Sequence, residues 1–79
     1  MGLAKTESEI AERAARFLKA ELKRADVTYE ELATRLREHG LNETRDSIAA
    51  KLKRGTFAAT FLLACLAALE LGGVSLEDI

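Results

Sequence analysis

The sequence has few of the side chains that bind metals or carry out covalent catalysis. Among its 79 residues there is one cysteine and one histidine, and proline and tryptophan are absent. Because Cys65 stands alone, the chain has no internal disulfide bond and no thiol-based metal site, and it fits a reducing cytosol. His39 has no cysteine, aspartate or second histidine at ligand spacing. With no phosphate-binding loop either, the sequence argues against an enzyme and predicts no metal and no cofactor.

Long apolar segments and strand-like patterns are also missing. The longest apolar run, Phe57 to Leu69, covers about 13 residues, whereas a membrane-spanning helix needs roughly 20. We therefore predict no membrane contact, and we expect no signal peptide. Apolar and polar residues nowhere alternate over a useful length, so no segment has the pattern of a β-strand.

Small and aliphatic residues make up much of what is present. Hydrophobic residues account for 48% of the chain and aromatic residues for only 5%, which favours helices packed on helices. Gly40, Gly55 and the pair Gly72-Gly73 stand where helical patterns stop, as expected of a residue that tolerates positive φ. A chain of this length holds one domain, residues 1–79, with a thin core. We predict an all-α fold, a compact bundle of four helices, or of five if the last residues add one.

Threonines mark the start of the first two helices. Thr6-Glu7-Ser8-Glu9 and Thr28-Tyr29-Glu30-Glu31 both have the capping-box pattern, in which two residues satisfy each other's backbone amides. Helix 1 is predicted to end near Arg24 and helix 2 at His39-Gly40, and residues 1–5 are expected to be disordered. The residues of helix 1 that repeat on a helical period, and are therefore expected in the core, are Ile10, Ala14, Phe17, Leu18, Leu22 and Ala25.

The outer face of helix 1 is basic. It carries Arg13, Arg16, Lys19, Lys23 and Arg24. One interpretation, which we favour, is an ordinary solvated surface on which Glu12 pairs with Arg16 one turn later. The other interpretation is a surface that contacts phosphate groups.

Helix 3 is predicted over residues 45–53, with Thr44 as its N-cap. At 100° per residue Ile48 and Leu52 lie about 40° apart, so both are expected to face inward. The side chains that then point outward are Asp46, Ala50 and Lys53. This outward face is small or polar near its start and basic near its end.

Charge is distributed unevenly, although the chain as a whole has a net charge of only −1. Residues 44–55 contain four basic residues and one acidic residue, a local excess of three positive charges. The basic residues are Arg45, Lys51, Lys53 and Arg54, and the acidic one is Asp46. Such segregation would orient the protein in the field of a phosphate backbone.

Helix 4 is predicted from Phe57 to about Leu71, with Thr56 as its N-cap, and it has no charge before Glu70. Its core side is expected to comprise Phe61, Leu62, Cys65, Leu66 and Leu69. Its other side is almost entirely apolar and comprises Thr60, Leu63, Ala64, Ala67 and Leu71. A helix that is apolar all round is buried on all sides, so either helix 1 covers this second face or a second copy of the chain does. Residues 74–79 form a short tail.

Several segments resemble the lambda-repressor-like (Cro/CI, XRE-type) helix-turn-helix domain. They are Val27-Thr28-Tyr29-Glu30-Glu31-Leu32-Ala33, Ser47-Ile48, Arg54-Gly55, and Phe61-Leu62-Leu63 with Ala68-Leu69. The resemblance covers residues 17–72, and within that group the chain is similar to a small uncharacterised proteobacterial family. The chain departs from the pattern in two ways: the turn before helix 3 is longer by about two or three residues than the usual three to four, and the usual fifth helix is reduced to the tail.

The resemblance implies a bacterial DNA-binding regulator, typically a homodimer on a two-fold symmetric operator. It implies that the start of helix 2 contacts phosphate through Thr28 and Tyr29. The residues at the base-reading positions of helix 3 are then Arg45, Asp46, Ser47 and Ala50, preceded by Thr44. The face of helix 4 formed by Thr60, Leu63, Ala64, Ala67 and Leu71 is the expected dimer interface.

Two functions follow as hypotheses. The first is a sequence-specific transcriptional regulator in the cytoplasm, associated with the nucleoid, with helix 3 in the major groove and Lys51, Lys53 and Arg54 on phosphates. Its partner is double-stranded DNA, and no small-molecule ligand is predicted. The alternative is a protein-interaction module that has the same fold but does not bind DNA, favoured by the near-neutral charge, by Glu30-Glu31 beside the expected phosphate contacts, and by the apolar face of helix 4.

Overall fold

The computed structural model describes residues 6–79, and this part of the chain contains helices but no β-strand. The elements are α1 (Glu7–Ala25), α2 (Tyr29–Arg37), α3 (Arg45–Arg54), α4 (Ala59–Ala68) and a short 3-10 helix (Leu76–Asp78). The prediction of an all-α fold with four helices is therefore confirmed. The disorder expected for residues 1–5 lies outside the described residues.

The predicted threonine caps of α1 and α2 are confirmed, but the reciprocal bonds of the two capping boxes are not, and in α1 the carboxylate of Glu9 accepts instead from Thr6 Oγ1 at 3.2 Å. Thr6 Oγ1 accepts a hydrogen bond from the backbone amide of Glu9, and Thr28 Oγ1 accepts one from Glu31, both at 3.1 Å. The carboxylate of Glu31 does not turn back to the cap. It accepts instead from Arg35 Nη2 at 2.7 Å, one turn further along the helix, where an ion pair competes with the capping bond.

A single core lies between the four helices. α2 packs against both α3 and α4, and α1 packs against α3. Ile48 and Leu52 are buried as predicted. The fully buried side chains at the centre of this core are Leu18, Leu32, Leu36, Ile48, Leu52, Phe61 and Cys65.

The apolar stripe predicted for α1 is confirmed in the middle of the helix and wrong at its two ends. Leu18 and Leu22 are buried as predicted, together with Ala15, whereas Ile10 is 53% exposed and Ala25 is exposed as well. The backbone of Ala11 lies directly against the end of α3, so the contact face at the start of α1 is centred one position later than Ile10. One position is a rotation of about 100°, which turns Ile10 toward solvent.

Helix α4 is shorter than predicted at both ends. It starts at Ala59, its N-cap is Ala58, and no side chain caps it. Thr56, the predicted cap, instead accepts a hydrogen bond at Oγ1 from Arg54 Nε at 3.0 Å. The helix ends at Ala68 because Glu70 takes a positive φ of 59° and the chain reverses there.

The two faces of α4 are also divided differently from the prediction. Ala64, expected in the dimer interface, is only 9% exposed and belongs to the core. It lies three residues after Phe61, so both side chains share the inward face. Thr60, Leu63 and Ala67 are exposed, and Leu71 is half-buried. None of the helices within residues 6–79 has the length and apolar content that a bilayer crossing requires.

Candidate nucleic-acid interface

The start of α2 and the start of α3 meet on the surface. Thr28, Tyr29 and Glu30 of the first line one open depression together with Arg45 and Ala49 of the second. Three of the residues predicted to contact DNA are thus brought together, because Arg45 lies beside Thr28 and Tyr29 although it is distant from them in the sequence. The acidic side chain of Glu30 lies in the same depression.

The connection from α2 to α3 is anchored at several points along its length. It runs for seven residues, from Glu38 to Thr44, and is longer than the turn of about three to four residues in a common helix-turn-helix. Gly40 makes the reversal with a φ of 84°, and Leu41 packs against the core. The orientation of α3 is therefore set by a connection with its own buried contacts.

Glu43 is the most strongly held residue of this connection. Its side chain is 12% exposed, and Oε1 accepts hydrogen bonds from Ser47 Oγ at 2.6 Å and from Lys51 Nζ at 3.0 Å. Burial alone raises the pKa of Glu43, but the two hydrogen bonds and the charge of Lys51 outweigh it, so the pKa lies below its ordinary value. Lys51 Nζ also lies 5.6 Å from the ring centroid of Phe61 in α4, within the range of a cation–π interaction. Through Lys51, Glu43 of the connection is therefore linked to α4.

This arrangement changes the roles available to two predicted site residues. Lys51, predicted to contact phosphate, is already paired with Glu43 and is 26% exposed. Ser47, predicted to read bases, accepts from the backbone amide of Thr44 at 2.8 Å and donates to Glu43. Because a hydroxyl has a single hydrogen, Ser47 has no second donor for a base. Both side chains position α3.

Reasoning from the sequence missed Glu43, although a signal was present. Ser47 and Lys51 are four residues apart on one face of α3, and Glu43 stands just before the N-cap Thr44, at the end of the helix from which its carboxylate can reach that face. The predicted N-cap Thr44 is confirmed, since its Oγ1 accepts from the amide of Ser47 at 3.0 Å. With the return bond from Thr44 to Ser47, α3 has the full reciprocal capping box, which we had predicted only for α1 and α2.

The outward face of α3 remains uncovered within the described chain. Arg45, Asp46, Ala50, Lys53 and Arg54 are all exposed. Arg45 Nε lies 3.7 Å from Asp46 Oδ1, with side chains 64% and 91% exposed, and a pair so exposed contributes little to stability. These side chains are free to meet a ligand.

The C-terminal end of α3 faces the first two thirds of α1 across an open groove. Lys53 and Arg54 line one side of this groove, and Arg16 and Lys19 line the other. The pairing of Glu12 with Arg16, the interpretation we favoured for the basic face, is present at 3.7 Å. Lys19 has no such pair among the described residues.

Residues 10–74 match the family described as domain of unknown function DUF6471. The chain belongs to the DUF6471 family. No curated protein and no solved structure matches it significantly. The match to DUF6471 includes α2, α3 and α4 entirely and most of α1, so the depression and nearly all of the groove lie within the family's domain.

The remaining reactive side chains of this DUF6471 domain lie apart from the depression and the groove. Cys65 is fully buried in the core. Burial, and to a lesser extent the charge of Glu43, raises the pKa of the thiol to about 12, so it is a packed apolar group. His39 is exposed at the end of α2, and no cluster of three or more candidate metal ligands occurs among residues 6–79.

Proposed function

We propose that this DUF6471 protein is a bacterial sequence-specific DNA-binding transcriptional regulator, acting in the cytoplasm on the nucleoid. The observation that supports this proposal is the depression shared by the starts of α2 and α3, beside an α3 face that no other element of residues 6–79 covers. A helix whose outward side is free and whose start lies next to a second helix start suits the major groove.

In this proposal the start of α3 reads bases. Arg45 would donate two hydrogen bonds to guanine, Asp46 would accept from cytosine, and the methyl group of Ala50 would pack against thymine. Thr28 and Tyr29, at the start of α2, would contact the neighbouring phosphates. Glu43, Ser47 and Lys51 are not contacts in this scheme but hold α3 in place.

Lys53 and Arg54 supply the phosphate anchors at the other end of α3. Both are exposed, and no carboxylate among the described residues lies within ion-pair distance of either. Each phosphate neutralised releases counterions, so the affinity is expected to fall steeply with salt.

We further propose that the protein binds DNA as a homodimer through α4. Thr60, Leu63 and Ala67 form an exposed strip, and Leu63 is 61% exposed although it is a large apolar residue. A second copy of the same strip would cover it around a two-fold axis. The distance between the two α3 helices would then set the spacing of the half-sites.

Fluorescence anisotropy tests the proposal with labelled genomic fragments at low and moderate salt. We expect binding at micromolar protein or below in low salt, and a loss of affinity of about 10-fold or more when the salt is raised fourfold, for two or more phosphate contacts. The double variant Lys53→Glu, Arg54→Glu should abolish binding while the chain stays folded at the assay temperature, with a melting temperature lowered only by the lost bond from Arg54 to Thr56 and by negative charge at the helix end. Absence of binding to any fragment at low salt would contradict the proposal.

A protein-interaction module that does not bind DNA is the second candidate. It is favoured by Glu30, which places a negative charge in the depression, and by the exposed strip on α4, which would bind a different protein. If so, a stoichiometric partner should co-purify with the chain, and the Lys53→Glu, Arg54→Glu variant should retain it while Leu63→Lys loses it.

A further inference from the structure

The groove between α1 and α3 brings basic side chains of two helices together. It is lined by the first two thirds of α1, from Glu7 to Lys19, and by the end of α3 with the residues that follow, from Leu52 to Thr56. Its basic residues are Arg16, Lys19, Lys53 and Arg54.

A close backbone contact forms the floor of the groove. Gly55 has a φ of +81°, and a Cβ at this position would lie 2.9 Å from the carbonyl oxygen of Ala11. The two helices approach this closely because Gly55 has no side chain. The contact keeps Lys19 and Lys53, which are far apart in the sequence, on two walls of one groove.

The charge of the groove is opposite in sign to that of the whole chain. Its lining has four basic and two acidic side chains, a local excess of two positive charges, whereas the chain carries −1. Of the acidic residues, Glu12 is paired with Arg16. No carboxylate of the described chain lies within 4.0 Å of the charged groups of Lys19, Lys53 or Arg54.

We propose that this groove binds the sugar-phosphate backbone of the DNA, so that α1 is part of the nucleic-acid interface. This inference rests on the proposed function. α3 has ten residues, a length of about 15 Å, and the major groove is about 12 Å wide. When the start of α3 lies on base edges, its end reaches the rim where the phosphates run. Lys19 and Arg16 lie beside that end and extend the contact.

The first test compares two lysines on the same helix. Lys19→Gln removes a lysine that lines the groove, and Lys23→Gln removes an exposed lysine that does not. We expect Lys19→Gln to weaken DNA binding severalfold at 0.1 M salt and to reduce the slope of log K against log salt by about 0.9, the loss of one phosphate contact. Lys23→Gln should leave both values at those of the wild type.

The second test is a gain of affinity, which misfolding cannot produce. Glu12→Gln removes a negative charge from the groove and releases Arg16 from its pair, so we expect tighter DNA binding and a steeper salt dependence. Glu38→Gln is the matched control, because Glu38 is exposed and lines a different depression, next to His39. The Glu38→Gln variant should bind DNA with the affinity and the salt dependence of the wild type.

The outcomes separate this inference from the function on which it rests. If the wild type binds DNA and Lys19→Gln retains its affinity and salt slope, the groove is not part of the interface, and the proposed function stands. If the wild type binds no DNA at low salt, both proposals fail. Melting curves for all four variants establish that each is folded at the assay temperature.

Discussion

At the scale of single residues, Gly55 is under two constraints at once. Its positive φ disfavours any side chain, and the carbonyl of Ala11 occupies the space where a Cβ would lie. Gly40 has nearly the same φ, +84°, but nothing lies within 4 Å of its Cβ position. Comparing substitutions at the two glycines therefore separates the free-energy cost of a left-handed backbone from the free-energy cost of a steric clash.

We expect Gly55→Ala to lower the free energy of unfolding by roughly 2–4 kcal/mol, from the left-handed backbone together with overpacking. Gly40→Ala should lower it by only about 1 kcal/mol, from the backbone alone. Urea denaturation measures both. Equal losses in the two variants would show that the contact between Ala11 and Gly55 does not matter for stability.

Glu43 makes stability depend on pH. Because its pKa is lowered in the folded state, its contribution is complete above the pKa of the unfolded chain and is lost as the pH falls through the folded value. We expect Glu43→Gln to cost about 1.5–3 kcal/mol at pH 7, the range of a hydrogen bond to a charged group. The difference from the wild type should vanish in acid, as unfolding measured from pH 7 down to about pH 2.5 would show.

The exposed Glu38 provides the comparison for this prediction. Glu38→Gln should change stability by less than about 0.5 kcal/mol at every pH. If Glu43→Gln lowers the free energy of unfolding equally at pH 7 and in acid, the charge of Glu43 is not the cause of its stabilising effect.

At the scale of the helices, three of the four end in the same way. The amide of an apolar residue beyond the helix bonds to a carbonyl five residues earlier, after one residue with positive φ. These bonds run from Val27 to Leu22, from Leu41 to Leu36 and from Leu71 to Leu66. The residues with positive φ are Asp26, Gly40 and Glu70. The sequence predicts the first two of these ends, near Arg24 and at Gly40, but it gives no signal at Glu70, because glutamate rarely takes a positive φ.

The last of these ends offers a stabilising substitution. Glu70 is exposed, and its φ of 59° is unfavourable for a residue with a side chain. We expect Glu70→Gly to raise the free energy of unfolding by about 0.5–1 kcal/mol. In the interior of α1, Ala20→Gly should have the opposite effect, a loss of about 1 kcal/mol. Thermal melts of both variants measure these changes. A lower stability in both variants would contradict the assignment of the end of α4.

At the scale of the whole molecule, the sequence predicts local features well and distant ones poorly. The all-α fold and the caps Thr6, Thr28 and Thr44 follow from short spacings and are confirmed. The predicted start of α4 was wrong because Thr56, the predicted N-cap, accepts a hydrogen bond from Arg54. The groove could not be predicted at all, because it depends on how closely α1 and α3 approach, and that distance is set by packing of residues far apart in the chain.

The candidate depression was predicted in part. Thr28, Tyr29 and Arg45 came from positions matched to a helix-turn-helix, and the structure places them together. The sequence predicts that Lys51 contacts phosphate, because a lysine within a cluster of basic residues is expected to be exposed and unpaired. Its partner Glu43 lies just before the segment in which the charges were counted.

The assembly of the molecule can be tested at two leucines with nearly equal exposure. Leu63 on α4 is 61% exposed, and Leu76 in the tail is 63% exposed. If α4 forms the dimer interface, Leu63→Lys should give a monomer by light scattering, whereas Leu76→Lys should retain the oligomeric state of the wild type. A wild-type chain that is monomeric at 100 μM would contradict the dimer.

The contact between Gly55 and Ala11 has a consequence for how the sequences of DUF6471 proteins can vary. A relative with a larger residue at position 55 must hold its first and third helices further apart, and its lysine at position 19 would no longer sit opposite the lysine at position 53. Selection for a paired basic groove would then be relaxed at both lysines together. Substitutions at these three positions are therefore expected to occur in the same lineages, so that one position without a side chain governs which charges the relatives keep.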